Sequence, residues 1–442
     1  MSRRTRKLRT FTLALQALVL CATCTAATQG ISVEDDGFVP LFNGRNLDGW
    51  VAVNGAPSTW RAEDGMMRTT GLPVSVLRTD RMYENFILEM EWRHQEEKGN
   101  AGLFVWSDPL PALGVPFTRA IEVQIMLGFE TPNYTSEGDI FSIWGATMTP
   151  DRPHPAGYQR CLPSEARTRG AGEWNHYRVT CIDGVISLEV NGGQVSGGYD
   201  VNPRNGYICL EAEGSPADFR NLRIKELPSS NSPLAEVAND AVGFTTLFNG
   251  IDLDGWKADG GNETSWTAKN GRIVHDGSGG NLWTTESFGD FVLIADWRWA
   301  GPSQGRMMRP VIGPDGANTG EEVEIDEYDS GIYLRGSSKS QVNMWEWPIG
   351  SGEVYGYRTD GSQSPEVRAG VTPTSRADAP VGKWNRFIIT MRGDVLTVNL
   401  NGTTVIKDAR LPGIAEEGPI ALQSHHSGVE FTNVFVLELD RP

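Results

Sequence analysis

The feature that most constrains this chain is an internal duplication. The segment LFNGRNLDGW at 41–50 returns as LFNGIDLDGW at 247–256. Two longer segments, 172–192 and 206–227, return in the same order at 382–402 and 418–439. The starting positions differ by 247 − 41 = 206, 382 − 172 = 210 and 418 − 206 = 212 residues. A repeat of this length is a whole domain rather than one unit of a solenoid.

The duplication predicts two domains, residues 33–227 (copy one) and 244–442 (copy two). Residues 228–243 lie between them and are rich in Ser, Asn, Pro and Ala, which indicates a linker. Each copy of about 195 residues is long enough to bury its own core. We therefore expect two similar domains with little helix.

Within each copy, apolar residues recur with the period of two that is typical of β-strands. Tyr177–Cys181 and Ile186–Val190 flank Asp183-Gly184, which is a strong hairpin signal. Phe86–Trp92 and Phe291–Trp297 alternate in the same way. Short strands in this number predict an all-β, two-sheet antiparallel sandwich for each copy.

The amino terminus has the pattern of a secretory signal peptide, predicted at residues 1–27. Five Lys and Arg residues precede an apolar run and a group of small residues. Cys21 and Cys24 suggest a lipoprotein, but Leu20 and Thr23 precede them where a small residue is usual. We therefore expect an exported protein, periplasmic or extracellular, without a membrane span.

Charge and cysteine content narrow the range of partners. The formal net charge is −17, and removing the five basic residues of the signal leaves −17 − 5 = −22. Such an acidic surface repels phosphate backbones, so we expect no nucleic-acid partner. Cys161, Cys181 and Cys209 remain, an odd number that permits one disulfide and one free thiol.

The repeated phrases resemble the 3-keto-disaccharide hydrolase domain family. They are the opening LFNG-x-x-LDGW, the WN-x-(F/Y) hairpin ending in NG, and the closing F-x-N strand. NAGLFVW (100–106) with IEVQI (121–125), and DSGIYLRG (329–336) with SQVNMW (340–345), add to the resemblance. It covers both copies. It implies a concanavalin-like jelly-roll sandwich in each copy, a bacterial source, export, and action on 3-keto-glycosides.

A 3-keto-glycoside can be cleaved without the paired carboxylates of an ordinary glycosidase. The C3 ketone acidifies the C2 proton, so a base can form an enolate that expels the C1 aglycone. Addition of water to the resulting enone then completes a net hydrolysis. This route needs a base whose pKa is near neutrality, donors or a cation that stabilise the enolate, and an acid that protonates the leaving group.

The best candidate bases are His425 and its competitor His426. They follow Gln423 in a segment that resembles the family's LQ-x-H pattern. Histidine suits proton transfer near neutral pH, and adjacent strand residues face opposite sides, so at most one should reach the site. The gapless counterpart of His425 in copy one is Glu213, which predicts that the two copies are not equivalent.

Other polar residues of copy two should form the substrate site. Tyr333 and Arg335 are two residues apart on one predicted strand, and Gln341 and Asn343 are two apart on the next. Side chains at this spacing share a face. We expect Arg335 to donate to the enolate and the other three to line a groove beside Trp345.

The remaining candidates are acidic or amide side chains. Six acids between residues 321 and 329 include three potential oxygen ligands for a divalent cation that would polarise the C3 carbonyl: Glu324, Asp326 and Asp329. Copy one offers four candidate substrate-binding residues on two predicted strands: Glu122, Gln124, Glu211 and Glu213.

Two alternatives belong to other functional classes. Jelly-roll sandwiches also serve as lectins, and Trp50, Trp106, Trp256 and Trp345 are candidate stacking surfaces for a non-catalytic carbohydrate-binding protein. A mixed chain would have one catalytic copy and one binding copy, as the His425–Glu213 difference favours.

Overall fold

The computed structural model describes residues 36–128, 137–261 and 265–440. The predicted signal segment 1–27, with Cys21 and Cys24, lies outside the described residues. Within those ranges, none of the helices has the length and apolar character that crossing a bilayer requires. Strands make up nearly all of the regular secondary structure of the described residues, which confirms the predicted fold class.

Copy one contains two antiparallel sheets. A nine-stranded sheet runs in the order β10-β14-β13-β12-β6-β16-β4-β3, with β1 paired to β16, and a seven-stranded sheet runs β11-β9-β8-β7-β15-β5-β2. The strands are β1 Val39–Pro40, β2 Trp50–Val53, β3 Trp60–Glu63, β4 Met66–Thr69, β5 Ser75–Thr79, β6 Phe86–His94, β7 Asn100–Ser107, β8 Ala120–Met126, β9 Ile140–Ile143, β10 Thr147–Pro150, β11 Arg160–Cys161, β12 Asn175–Ile182, β13 Val185–Val190, β14 Gly193–Asn202, β15 Tyr207–Ala212 and β16 Ala217–Glu226.

Copy two repeats this arrangement and adds a hairpin. An eight-stranded sheet runs β19-β20-β31-β22-β27-β28-β29 with β17 on β31, a five-stranded sheet runs β18-β21-β30-β25-β26, and β23 pairs only with β24. The strands are β17 Thr245–Thr246, β18 Trp256–Ala258, β19 Trp266–Lys269, β20 Arg272–His275, β21 Leu282–Thr284, β22 Phe291–Trp299, β23 Arg306–Ile312, β24 Asn318–Asp326, β25 Asp329–Leu334, β26 Ser337–Trp345, β27 Asn385–Arg392, β28 Val395–Leu400, β29 Thr403–Arg410, β30 Ala421–Leu422 and β31 Val429–Glu438.

In the described parts of the chain, helix is confined to short segments. They are the α-helices α1 Tyr355–Arg358 and α2 Pro365–Gly370, and the 3-10 helices Leu234–Glu236 and Asp259–Gly261. The first 3-10 helix lies within the predicted linker, where Val237 also forms a parallel bridge with Asn205.

The repeated LFNG-x-x-LDGW segment makes the same local bonds in both copies. Asn43 Oδ1 accepts from the backbone N–H groups of Arg45 and Asn46, at 2.8 and 3.0 Å. Asn249 does the same one copy later. The indole N–H of Trp50 or Trp256 then donates to the carbonyl of Leu41 or Leu247. The motif is therefore structural, since it fixes a turn against the core.

Each copy has its own hydrophobic core between its two sheets. Trp50 and Trp106 lie in the first core and Trp256 in the second, all at most 8% exposed. The idea that these three tryptophans are stacking surfaces for sugar is therefore wrong, because core packing buries their rings.

A third apolar cluster joins the copies. The outer face of the seven-stranded sheet contributes side chains such as Phe104 and Cys209, and the outer face of the eight-stranded sheet contributes Ile294 and Phe435. Residues Phe38–Pro442 accordingly form one compact unit. The cysteines take no part in a disulfide: Cys161, Cys181 and Cys209 are buried free thiols.

Candidate active site

The outer face of the five-stranded sheet in copy two gathers most of the predicted polar residues. Strand pairing places Asp329 opposite Trp345, Gly331 opposite Asn343, and Tyr333 opposite Gln341. The intervening residues, such as Ile332 and Val342, point into the core. Because alternate strand residues face opposite sides, the odd-numbered set lies together on the outer face. We call this set, with Gln423 and His425, the copy-two polar face.

Hydrogen bonds hold the amides of this face in place. Gln341 Nε2 donates to Gln423 Oε1 at 2.6 Å and reaches the Ser330 carbonyl at 3.3 Å. Burial raises the pKa of Tyr333, and a hydrogen bond to Gln423 partly offsets this rise. Asn343 is 3% exposed, and its Oδ1 has no hydrogen-bond partner among the described residues. The face therefore carries a buried amide oxygen of Asn343 that has no hydrogen-bond partner among the described residues, close to the hydrogen-bonded side chains of Gln341 and Gln423.

His425 and Asp329 form a pair at the edge of this face. Nδ1 of His425 lies 3.4 Å from Oδ2 of Asp329, but the contact lacks hydrogen-bond geometry: that nitrogen is buried without a hydrogen-bond partner among the described residues, although 44% of the His425 side chain is exposed. Ser427 Oγ accepts from the Asp329 backbone N–H at 3.0 Å, which fixes the carboxylate's strand to the segment after His425. The two groups lie close enough for a small rotation of either side chain to form the hydrogen bond that orients a base in acid–base catalysis.

Burial moves both members of the pair toward their neutral forms. It lowers the pKa of His425, assisted by the charge of the neighbouring His426. It raises the pKa of Asp329 to about 7, assisted by the charge of Glu327, whereas the Arg309 charge opposes the rise. A neutral imidazole can accept a proton near neutral pH.

An arginine and an aromatic pair border the same edge. Arg309 forms a bidentate ion pair with the buried Glu327, at 2.9 and 2.5 Å, and its guanidinium lies 4.8 Å from the ring centre of Trp347. Trp347 stacks on Trp345 with ring centres 4.2 Å apart. Trp345 itself is buried, so the half-buried Trp347 is the aromatic surface closer to solvent.

His426 does not share the environment of His425. It is exposed and has φ 56°, in the left-handed region, where copy one has Gly214 with φ 85°. The two histidine rings lie edge to face with centres 5.4 Å apart, but of the two only His425 lies beside Asp329.

Arg335 lies away from the copy-two polar face. Its side chain is 1% exposed and pairs with Asp290 at 2.9 Å. It also donates to three backbone carbonyls, those of Gly289, Gly393 and Ala415. The sequence-based expectation that Arg335 shares a face with Tyr333 is corrected, because φ 49° at Arg335 breaks the strand alternation.

The three proposed metal ligands of copy two are also separate. Glu324 and Asp326 are exposed on the β23–β24 hairpin, where both face Arg306, at 2.8 and 3.7 Å. Asp329 instead faces His425. The acidic run is a solvated hairpin strand that an arginine on its partner strand neutralises, so these three residues do not form a cation site.

Copy one has a counterpart of the polar face, with different chemistry. Pairing of Gly102 with Gln124 and of Phe104 with Glu122 repeats the register of copy two. Asn100 occupies the Asp329 position, and its Nδ2 donates to Glu213 Oε2 at 2.6 Å. An Asn–Glu pair therefore replaces the Asp–His pair, as the divergence at Glu213 predicted.

Three carboxylates converge in copy one. Single oxygens of Glu122, Glu211 and Glu213 all lie within 4.8 Å of one another. Burial raises the pKa of Glu122 and of Glu211 well above the ordinary range, and the negative charges of their neighbours add to the effect. Gln124, on the same face, donates from Nε2 to Asn100 Oδ1 at 2.9 Å. The four predicted residues of copy one therefore lie together.

Three functional candidates were missed from the sequence: Arg309, Glu327 and Trp347. Arg309 and Glu327 lie in a segment that copy one lacks. Five residues (95–99) separate β6 from β7, whereas 29 residues (300–328) separate β22 from β25. This difference in length between the copies was the available signal.

Sequence comparison identifies both halves with one family profile. The profile, described as "3-keto-alpha-glucoside-1,2-lyase-like domain", matches residues 37–225 and 243–437. A curated protein of Bacteroides thetaiotaomicron, named 3-keto-disaccharide hydrolase, is 30% identical over 84 residues. That match covers 17% of this chain and 29% of the relative.

Two solved structures of similar shape each match a little under half of the chain. A proposed glycosyl hydrolase of Parabacteroides distasonis matches 43% of this chain and 95% of its own, with 22% identity and a TM-score of 0.35. The carbohydrate-binding module CBM66 of Bacillus subtilis matches 40% of this chain and 96% of its own, with 14% identity and a TM-score of 0.29.

Proposed function

The chain belongs to the family of 3-keto-alpha-glucoside-1,2-lyase-like domains, of which it carries two copies, and from that membership we propose that it cleaves 3-keto-glycosides at copy two. The family makes it a carbohydrate-active, hydrolase-like protein. The observation that carries the finer proposal is the pair formed by His425 and Asp329 on the copy-two polar face. We also propose that the amino-terminal segment exports the chain.

His425 is the base of the proposed reaction. Its depressed pKa keeps the imidazole neutral near pH 7, and Asp329 beside Nδ1 positions the ring. The other ring nitrogen, Nε2, then takes the C2 proton of the sugar. The C1–O bond breaks, and the aglycone oxygen takes a proton from solvent. Water then adds to the enone, with its hydroxyl at C1 and a solvent proton at C2, and His425 releases to solvent the proton that it took. Bonds and protons therefore balance as a net hydrolysis.

The amides and the phenol of the polar face stabilise the enolate. Gln341, Asn343 and Tyr333 lie on neighbouring strands and can donate to oxygens of the 3-keto sugar. They replace Arg335 in the role that the sequence predicted for it. Ordered donors in a partly buried site stabilise developing negative charge without having to reorganise.

Aromatic side chains at the border of the copy-two polar face bind the sugar. Trp347 stands on one side, and Trp283, whose ring centre is 5.7 Å from that of Tyr333, stands on the other. Both are half-buried, so they can stack on a sugar ring and still reach solvent. A carbohydrate-binding protein without turnover is the second candidate, and the same surface supports it.

Turnover of 3-keto-glucosides by the purified chain tests the proposal. We expect cleavage of 3-keto-α-glucosides and not of the parent glucosides, which lack the ketone that acidifies C2. His425→Ala should lower kcat/KM by roughly 10²–10⁴-fold, the usual contribution of a positioned base. His426→Ala is the comparison variant and should lower turnover far less, because His426 touches the base and affects its pKa but takes no proton from the sugar.

Two results would count against catalysis at copy two. Binding of the 3-keto-glucoside without turnover would favour the carbohydrate-binding candidate. Equal losses from His425→Ala and His426→Ala would mean that local structure, and not the base, had been disturbed.

A further inference from the structure

The carboxylate cluster of copy one has no counterpart in copy two. At the positions of Glu122, Glu211 and Glu213, copy two has Gln341, Gln423 and His425. Three carboxyl groups are thus replaced by two amides and an imidazole. The cluster needs its own explanation, because buried carboxylates that lie this close together repel one another.

Two buried oxygen atoms beside the cluster lack donors. Oε2 of Glu211 and Oε1 of Gln124 have no hydrogen-bond partner among the described residues, and the two residues are 1% and 4% exposed. An unsatisfied buried acceptor destabilises the fold, because it has lost its hydrogen bonds to water without gaining others. A neutral amide oxygen cannot relieve this by taking up a proton, so Gln124 is evidence independent of the carboxylates.

The backbone leaves room for these oxygens to converge. A Cβ atom on Gly102 would lie 2.6 Å from Glu211 Oε2 and 3.0 Å from Glu122 Oε1. Gly102 also pairs directly with Gln124 across the strands. The two carboxylates therefore meet above one glycine, in space that any other residue would fill, and Gln124 is the residue paired with that glycine on the neighbouring strand.

We propose that the outer face of copy one binds one divalent metal ion through Glu122, Glu211, Glu213 and Oε1 of Gln124. All four ligands are oxygens, which hard cations prefer. Ligands on opposite sides of Ca²⁺ are about 5 Å apart, a span that the carboxylate oxygens, all within 4.8 Å, satisfy. The irregular donor set suits Ca²⁺ better than Mg²⁺, which demands near-octahedral geometry.

A bound ion would satisfy the unpartnered oxygens of Glu211 and Gln124 and would allow the carboxyl groups to be ionised side by side. Glu213 is only half-buried, so an ion can enter from its side. Glu211 lies two residues from Cys209, which packs in the cluster between the copies. A bound ion would thus stabilise the face of copy one next to the interface. This inference does not depend on the function proposed for copy two.

Calorimetric titration of the chelator-treated chain with CaCl₂ tests the site. We expect one Ca²⁺ per chain, because copy two lacks the carboxylates, and weaker binding of MgCl₂. Glu211→Gln and Glu213→Gln should each weaken Ca²⁺ binding at least tenfold. Glu322→Gln, which removes the same charge from the exposed strand β24, is the matched control and should bind Ca²⁺ like the wild-type chain.

Thermal unfolding separates a lost site from a lost fold. Ca²⁺ should raise the melting temperature of the wild-type chain and of Glu322→Gln, but not that of Glu211→Gln. Without Ca²⁺, Glu211→Gln should melt no lower than the wild-type chain, since it removes a repelling carboxyl. Absence of Ca²⁺ binding by the wild-type chain, a stoichiometry of two, or unchanged binding by both Gln variants would overturn the proposal.

Discussion

The two copies differ in their chemistry because they carry different residues at two matched backbone positions. Copy two pairs Asp329 with His425, and copy one pairs Asn100 with Glu213. The backbone N–H of Asp329 donates to Ser427, which lies two residues after His425. In the same way, the backbone N–H of Asn100 donates to Ser215, which lies two residues after Glu213. The scaffold is therefore the same, and only the copy-two pair contains a group that is neutral and basic near pH 7.

The first prediction concerns how the ionisation of the Asp329 carboxyl changes the stability of the folded chain. Burial raises its pKa from the ordinary 3.8 to about 7. Between about pH 4 and 7 the folded chain therefore keeps a proton that the unfolded chain has released, so the free energy of unfolding falls as pH rises. Asp329→Asn should be more stable than the wild-type chain by roughly 2–4 kcal/mol at pH 8.

Urea denaturation at pH 8 and at pH 4 checks this. Near pH 4 the two chains should be about equally stable, which provides an internal control. If Asp329→Asn proved less stable at pH 8, the folded chain would hold Asp329 as a carboxylate paired with a protonated His425. His425 could not then be a neutral base.

At the scale of the element, strand β25 shows where a sequence pattern stops being reliable. Alternation correctly places Asp329 and Tyr333 on one face, with Gln341 and Asn343 beside them. It fails at Arg335, where φ 49° turns the chain. Copy one makes the same turn at Trp106, φ 53°. A positive φ at a bulky residue leaves no signature in the sequence, so the error could not be foreseen.

The second prediction follows from this placement of Arg335. Removing one partner of a buried ion pair typically costs about 3–5 kcal/mol, and Arg335 also satisfies three carbonyls. Arg335→Ala should therefore lower the free energy of unfolding by about that amount while folded molecules keep their turnover. Urea denaturation and a 3-keto-glucoside assay measure the two quantities.

Arg410→Ala is a suitable control for this experiment. Arg410 forms an ion pair with Asp394 but is 63% exposed, so its loss should change stability by less than about 1 kcal/mol. A large loss of turnover from Arg335→Ala without loss of stability would return Arg335 to the reaction centre.

The β23–β24 hairpin marks the other limit of sequence analysis. Its acidic strand suggested a metal site, but Arg306 on the partner strand neutralises it. The same insertion brings Arg309 and Glu327 to the edge of the polar face. Which residues of an inserted segment return to the site depends on tertiary packing, and no periodicity encodes it. The duplication, by contrast, made the fold class predictable, because repeated segments and alternating strands are local signals.

At the scale of the whole molecule, the copies are joined through an asymmetric interface. Asp296 of copy two is fully buried and accepts from Arg386, from Asn433 and from the backbone N–H of Gly114 in copy one. Asn54 donates to Asn433 across the same boundary at 2.7 Å. The seven-stranded sheet of copy one is thus partly covered by copy two.

Because copy two covers part of the copy-one sheet, the outer faces of the two copies differ in burial. Phe104 of copy one, the counterpart of Tyr333, packs in the cluster between the copies. Its neighbours Glu122 and Glu211 are buried accordingly. The copy-two polar face has no such cover from copy one among the described residues, and it retains the half-buried Trp283 and Trp347. Duplication followed by docking would leave one face accessible to a sugar and the other suited to an ion.

The most direct test of the central claim is cleavage of a 3-keto-α-glucoside in D₂O, with NMR detection of deuterium at C2 of the product. Removal of the C2 proton and addition of D₂O to the enone must leave deuterium at C2, whereas direct hydrolysis leaves the original proton. We predict enzyme-dependent deuteration at early times by the wild-type chain and by Glu213→Gln, and loss of both cleavage and deuteration in His425→Ala. Cleavage without C2 deuteration, or deuteration that depends on Glu213 and survives His425→Ala, would contradict the account.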